Sequence, residues 1–340
     1  MIKAMIKEAI DILVSGRSLT MEQAAVVMEE IMAGEATPAQ FGAFVTALRL
    51  KGETVEEIAG MARVMRERAI PVVVSEPVVD TCGTGGDGSH SFNISTTAAF
   101  VVAGAGLKVA KHGNRSMSSV CGSADVMEAL GVRIDLGAEQ VQKCLEEVGI
   151  GFMFAPNFHP AMKYASAPRR EIGIRTVFNI LGPLTNPAGA KAQVLGVAEG
   201  SLTMKMAQVL ELLGCHHALV VHGEDGLDEI TLGGRTTVWE LKEGIIKSYS
   251  LTPEELGFRR AARESLRGGS AEENADYLRD VLAGARGPRR DIVLLNSAAA
   301  LVAGDRAQNL KQGVQVATEA VGSGKALEKL EGLIRISRSV

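Results

Sequence analysis

The run Asp80-Thr81-Cys82-Gly83-Thr84-Gly85-Gly86-Asp87-Gly88 puts four glycines into six residues, between a strand-like stretch and a helix-like stretch that starts at Asn93. Glycines expose backbone N–H groups and let a bulky anion approach the chain, and a helix N-terminus carries positive potential. The arrangement therefore suits a phosphate or pyrophosphate, with Asn93, Ser95 and Thr96 expected to cap the helix. A glycine-rich hairpin capped by Asn93 is the plain structural alternative. The run matches neither G-x-x-x-x-G-K-[ST] nor G-x-G-x-x-G, so it supports neither an ordinary NTPase nor a Rossmann dehydrogenase.

Three further segments carry charge at strand ends. Lys111-His112-Gly113-Asn114-Arg115-Ser116-Met117-Ser118-Ser119 follows a strand-like run, with Ser123 at the expected cap of the next helix. A lysine and an arginine beside serines offer fixed positive charge and many donors to oxyanions, although a polar surface loop would look the same. Glu224, Asp225, Asp228 and Glu229 place four carboxylates in six residues. Such a cluster must be solvated or neutralised, and Mg²⁺ shared with substrate phosphates is one way to neutralise it. Arg169, after a proline-containing loop, could grip a planar carboxylate bidentately or form a structural ion pair with Glu171 or Glu146. His216 and His217 adjoin a strand and lack metal-ligand company, and His90 lies in the glycine-rich loop. Neither a Ser/His/Asp order nor a G-x-S-x-G elbow is present, so nucleophilic catalysis is not indicated.

These loops need a scaffold. In the first 70 residues, Thr20/Gln23, Thr37/Gln40 and Thr54/Glu57 match the capping box and open three helices, at 21–32, 38–50 and 55–67. From residue 71 short apolar runs at 71–74, 78–80, 107–111, 131–134, 149–155, 193–197 and 218–222 alternate with helical stretches at 93–104, 123–130 and 138–148. This is the pattern of a mostly parallel sheet with helices on its faces, in which ligands sit at the carboxyl ends of the strands. Residues 158–181 read as helical and are expected to pack back onto the first helices, and 274–339 as three or four amphipathic helices. The fold class is α/β: a small all-helical domain (1–70 plus about 158–182) and a larger α/β domain (71–157 and 183–340).

Composition narrows the function. Lys plus Arg is 36 and Asp plus Glu is 40 in 340 residues, a net charge of −4 without a long same-sign run, which argues against a general nucleic-acid binder. No stretch is apolar and long enough to span a bilayer and no signal-peptide core is seen, so a cytoplasmic enzyme is expected, with no membrane partner. Four scattered cysteines form no C-x-x-C pair, which disfavours disulfides and zinc. Aromatics are 4% while glycine reaches 38 residues, as suits a ligand held largely by main chain.

Taken in order, these motifs resemble the anthranilate phosphoribosyltransferase family over essentially the whole chain. The resemblance also rests on Phe92-Asn93-Ile94-Ser95-Thr96, Gly122-Ser123-Ala124-Asp125-Val126, Phe154-Ala155-Pro156, His159-Pro160-Ala161-Met162, and the run from Arg175-Thr176-Val177-Phe178-Asn179 through Pro183 to Pro187. It implies a two-domain enzyme of the nucleoside phosphorylase/phosphoribosyltransferase type, dimeric through its helical domain. The reaction implied is transfer of a 5-phosphoribosyl group from phosphoribosyl pyrophosphate to the amine of anthranilate, with Mg²⁺. By position, the donor site is implied at Gly83, Gly86, Asp87, Ser91, Asn93, Ile94, Ser95, Thr96, Lys111, His112, Gly113, Asn114, Arg115, Ser116, Met117, Ser118, Ser119 and Ser123. The acceptor site is implied at Gly83, Asn114, Arg169, His112, His159 and Pro183, and the metal group at Ser95, Asp228 and Glu229. Ser91 and Ala167-Pro168 stand where the family more often has Thr and Pro-Val. A pyrimidine nucleoside phosphorylase and a non-catalytic nucleic-acid-binding relative are the competing readings. The first does not account for Arg169 or Asp228-Glu229, and the second fits poorly with an acidic chain that keeps Asn114.

Overall fold

The computed structural model describes residues 5–116 and 120–340. Four helices open the chain: α1 (Met5–Val14), α2 (Met21–Ala33), α3 (Pro38–Lys51) and α4 (Val55–Glu67). Each of the three expected capping boxes forms, with Thr20, Thr37 and Thr54 accepting from the third-residue amide while Gln23, Gln40 and Glu57 bond back to the cap N–H.

The α/β part runs β1 (Val78–Gly83), α5 (Ile94–Gly104), β2 (Lys108–Gly113), α6 (Ser123–Ala129), α7 (Ala138–Glu147), β3 (Ile150–Phe154), then the short α8 (Ala155–Phe158), α9 (Lys163–Ile172) and α10 (Phe178–Leu181). It continues with β4 (Ala192–Gly196), α11 (Thr203–Leu212), β5 (His217–Gly223), β6 (Thr236–Lys242), β7 (Ile245–Leu251), α12 (Ala271–Leu282), α13 (Pro288–Ala303), α14 (Leu310–Gly322) and α15 (Lys325–Ser339). Strand order is β3-β2-β1-β4-β5-β6-β7, parallel through β5 and closed by the antiparallel β6 and β7.

Strand alternation feeds two cores. On β5, Leu219 and Val221 join α5 and the C-terminal helices, whereas Ala218 and Val220 join α11 and the helical layer. Segment α9 lies against α2 and α3. Strand order reverses between β1 and β4, where both neighbours of β1 are parallel and the connections leave in opposite directions, so a crevice opens at their carboxyl ends.

Two expectations fail locally, and one hairpin was not foreseen. Residues 71–74 are not a strand: the Val72 N–H donates to the Pro187 carbonyl, outside any ladder. Residues 131–134 are not one either. Val132 and Ile134 are buried, but the amide between them is taken by the Ser337 hydroxyl of α15, so burial is achieved against a helix. The β6–β7 hairpin escaped the pattern because β7 is largely exposed and its two-residue turn is Glu243-Gly244, both at positive φ, rather than the usual Asn-Gly.

Candidate active site

The crevice is a cleft with a volume of about 730 Å³. Its floor is built by the carboxyl ends of β1 and β2. Every site residue expected from the sequence and described in the structure lines it, from Gly83, Gly86, Asp87, Ser91, Asn93, Ile94, Ser95 and Thr96 to Lys111, His112, Gly113, Asn114, Arg115, Ser116, Ser123, His159, Arg169, Pro183, Asp228 and Glu229. Met117, Ser118 and Ser119 lie outside the described residues. Arg170, Arg175, Asn179 and Thr185 also line the cleft; the last three lie in a run that carries the resemblance, but none of the four was given a site role.

The acidic pair is not a solvated turn. Glu229 is buried, and Asp228 is wedged against two strand ends, where a Cβ at Gly83 would lie 2.3 Å from Asp228 Oδ2 and one at Gly196 1.6 Å from the Asp228 carbonyl oxygen. Only glycine admits the acidic loop there. From behind, Asn296 of α13 grips both main-chain groups of Ile230: its Oδ1 accepts from the amide (2.8 Å) and its Nδ2 donates to the carbonyl (3.0 Å). Asp228 Oδ2 accepts from the Gly85 N–H at 2.8 Å. Burial and the nearby Asp87 push the Asp228 carboxyl up to about 7. Burial, with Asp228 as the next cause, pushes Glu229 well above the usual carboxylate range. Asp87 Oδ2 is buried and unpartnered.

Lys111 is buried, and its Nζ donates to the Thr81 carbonyl at 2.6 Å; burial lowers its pKa against the opposing pull of Asp80. Asp80, itself buried, accepts from Asn186 Nδ2 at 2.7 Å, and burial raises its pKa against Lys111. These oxygens fit a hard cation shared with phosphates: an orphaned buried acceptor on Asp87, two carboxyls raised by desolvation, and Ser95, which lines the same wall and whose backbone bonds Glu229. Among the described residues no set of three or more His, Cys, Asp or Glu side chains forms a metal cage by itself. That accords with Mg²⁺, which is commonly held by one or two carboxylates together with substrate oxygens.

On the opposite wall the His112 and His159 rings lie 5.1 Å apart. His159 Nε2 lies 3.0 Å from the Thr185 carbonyl and His112 bonds the Gly182 carbonyl, so in each ring the bonded nitrogen donates. His112 Nε2 and His159 Nδ1 are left unpartnered as lone pairs. Burial lowers their pKa to about 3 and about 4, with His159 adding to the effect on His112. Arg169 projects from α9, which keeps its turn around Pro168. Its guanidinium stacks over Phe178 at 5.4 Å and meets neither Glu171 nor Glu146, so the structural ion pair does not form. Burial lowers its pKa with no carboxylate opposing.

Three local expectations are corrected. Asn93 occupies the cap position of α5 without a side-chain capping bond, its Nδ2 donating instead to the Cys121 carbonyl at 3.4 Å. Gly122 is the cap of α6 and Ser123 its first residue, whose hydroxyl accepts from the Asn114 N–H. Arg115 spends its charge on Asp125 (2.8 Å) and Glu128 (2.5 Å), and these contacts raise its pKa.

Residues 7–69 match the helical bundle domain of the glycosyl transferase family, and residues 75–327 its a/b domain. Anthranilate phosphoribosyltransferase of Dehalococcoides mccartyi is 59% identical over 338 residues, 99% of each chain, and that of Chloroflexus aggregans 62% over 335 residues, 98% of each. The chain belongs to the anthranilate phosphoribosyltransferase family. Among solved members of this family, the Thermus thermophilus enzyme superposes with a TM-score of 0.92 at 48% identity, covering 97% of this chain and 99% of that one. The Saccharomyces cerevisiae enzyme in complex with PRPP and Mg superposes with a TM-score of 0.92 at 30% identity, covering 99% of each. The same yeast enzyme in complex with 4-fluoroanthranilate gives 0.89 at 29%, covering 98% of each.

Proposed function

We propose that the cleft transfers the 5-phosphoribosyl group of phosphoribosyl pyrophosphate to the amine of anthranilate, releasing pyrophosphate, as a step of tryptophan biosynthesis. The observation that carries this reading is the convergence of two chemically different walls on one cleft. One has glycine-loop amides, Lys111 and uncompensated carboxylates; the other has Arg169 and the neutral rings of His112 and His159.

The amides around Gly83–Asp87 and the start of α5 receive the phosphates of the donor. Asp87, Ser95, Asp228 and Glu229 are the groups that would hold Mg²⁺. When bound, Mg²⁺ supplies positive charge to the pyrophosphate oxygens as the bond to the ribose carbon breaks. Lys111 adds a cation of the chain's own on the same side. Asn114 orients the acceptor between the walls, and Arg169 takes its carboxylate in a bidentate grip. The His112 and His159 rings border the acceptor's part of the cleft and shape the path of the amine toward the ribose. With pKa values of about 3 and about 4 they orient the nucleophile and are too weak to hold its proton. Catalysis by positioning and electrostatics follows, without a covalent intermediate.

The helical layer (1–70 with about 158–182) acts as a dimerising domain, and 71–157 with 183–340 as the donor-binding domain, in a cytoplasmic enzyme. No helix among the described residues is long and apolar enough to cross a membrane. The reading is tested by following anthranilate fluorescence with phosphoribosyl pyrophosphate, Mg²⁺ and protein, with EDTA as control. Loss of signal that requires all three is expected. Unchanged fluorescence with folded protein rules the assignment out and directs the next assay to phosphorolysis of thymidine or uridine.

A further inference from the structure

Arg175 has no part in the assignments above. It sits in the connector 173–177 between α9, which rests on α2 and α3, and α10. From there it reaches across the cleft to the glycine loop, where Nη2 donates to the Gly85 carbonyl at 2.8 Å. Its guanidinium lies so close to the next residue that a Cβ on Gly86 would be 1.3 Å from Nη1. Gly85 is thus held at both ends of one residue, its carbonyl by Arg175 and its N–H by Asp228. Among the described residues Arg175 has no carboxylate partner, and it stands between the main cleft and a second cavity of about 190 Å³ whose wall includes Arg49, Thr176, Asn179 and Glu199.

We propose that Arg175 is a positioning residue that pins the Gly85–Gly86 turn from across the cleft, presetting the amides that receive the donor's phosphates without touching a reacting atom itself. Gly85 and Gly86 both have positive φ (+65° and +75°), a region from which glycine escapes readily, so an unpinned turn samples many conformers. A donor that must first order its loop binds more weakly by the fraction of time the competent conformer is populated. The pin also makes the seating of α9 on the helical layer a determinant of donor affinity. This inference rests on the donor-site reading above.

The test uses the full-length protein with Arg175→Met and Arg175→Lys. Calorimetric affinity for phosphoribosyl pyrophosphate with Mg²⁺, measured without anthranilate, is expected to weaken roughly tenfold in Arg175→Met, the worth of one charge-assisted hydrogen bond. Arg175→Lys should recover part of it, while the KM for anthranilate stays within about twofold. In the free protein, hydrogen exchange at residues 84–90 should speed up roughly tenfold in Arg175→Met, with the thermal midpoint unchanged. Wild-type donor affinity and exchange in the variants, or an effect falling on the anthranilate KM instead, overturns the proposal. If Arg175→Met does not fold, the same measurements on Arg175→Lys decide. A wild-type protein that fails to consume anthranilate breaks the functional reading, yet the exchange comparison still decides whether the pin exists.

Discussion

The two ends of β5 treat their acidic side chains in opposite ways. At its amino end the buried His217 ring has Nε2 3.0 Å from Glu240 Oε1 and Nδ1 3.4 Å from Asp305 Oδ1, and Asp305 also meets Lys242 at 3.3 Å. Each acid there has a cationic or donor partner, and His217 holds the Glu240 carboxyl below the usual range. Beyond its carboxyl end Glu229 is buried and Asp228 half-buried, with no cation in contact among the described residues, while the nearby ammonium of Lys111 is turned to a carbonyl. Uncompensated buried charge destabilises a fold, so a chain that keeps it at one strand end and matches every acid at the other marks the first as a place where a ligand completes the balance.

The largest effect that would sharpen this contrast is from Asp228→Asn. Turnover should fall by roughly 100-fold or more, the loss typical of removing a charge-stabilising group. Its stability should change the other way. Asp228 has a folded pKa of about 7, above its unfolded value of 3.8, so its favourable contribution is present at low pH and is lost as pH rises from about 4 through 7. At pH 8 the neutral amide should therefore raise the thermal midpoint by roughly 2–4 °C, with a smaller gain at pH 5.5. A variant less stable than wild type at pH 8 would erase the distinction between the two ends. Next, Arg169→Met should raise the anthranilate KM by roughly 10- to 100-fold while leaving the donor KM nearly unchanged, as steady-state kinetics would show.

At the other end, His217→Ala should cost about 1–3 kcal/mol in urea unfolding while kcat/KM stays within about twofold, because Glu240 loses its partner and the cleft loses nothing. Altered kinetics there would mean the two ends are coupled. The smallest effect concerns pH. His112 and His159 are neutral well above their values of about 3 and about 4, so neither contributes a limb near 6.5 to kcat/KM. A rise in kcat/KM for the donor is expected near pH 7, where Asp228 ionises, and it should move to lower pH as Mg²⁺ is raised. A limb near 6.5 that disappears in His159→Gln would reverse the roles of the two walls.

Much of this was legible in residue order. The capping boxes at Thr20, Thr37 and Thr54, the alternation that built β1 to β5, and the glycine run after Asp80 are local patterns governed by hydrogen bonding and period, so they survive without tertiary context. Residues 131–134 were misread because burial against α15 and burial in a sheet leave the same apolar alternation. Arg115 and Arg169 were both read as candidate cations for ligand anions, the first beside serines and the second after a proline-containing loop. Only packing decided that the first is neutralised by Asp125 and Glu128 while the second faces the cleft free of acids. In the same way the sequence alone determined that Asp228 and Glu229 are adjacent acids following a strand. That Glu229 is buried and Asp228 half-buried, backed by Asn296 and set against Gly83 and Gly196, came from four segments far apart in the chain, because desolvation depends on what surrounds a charge in space and not on its neighbours in sequence.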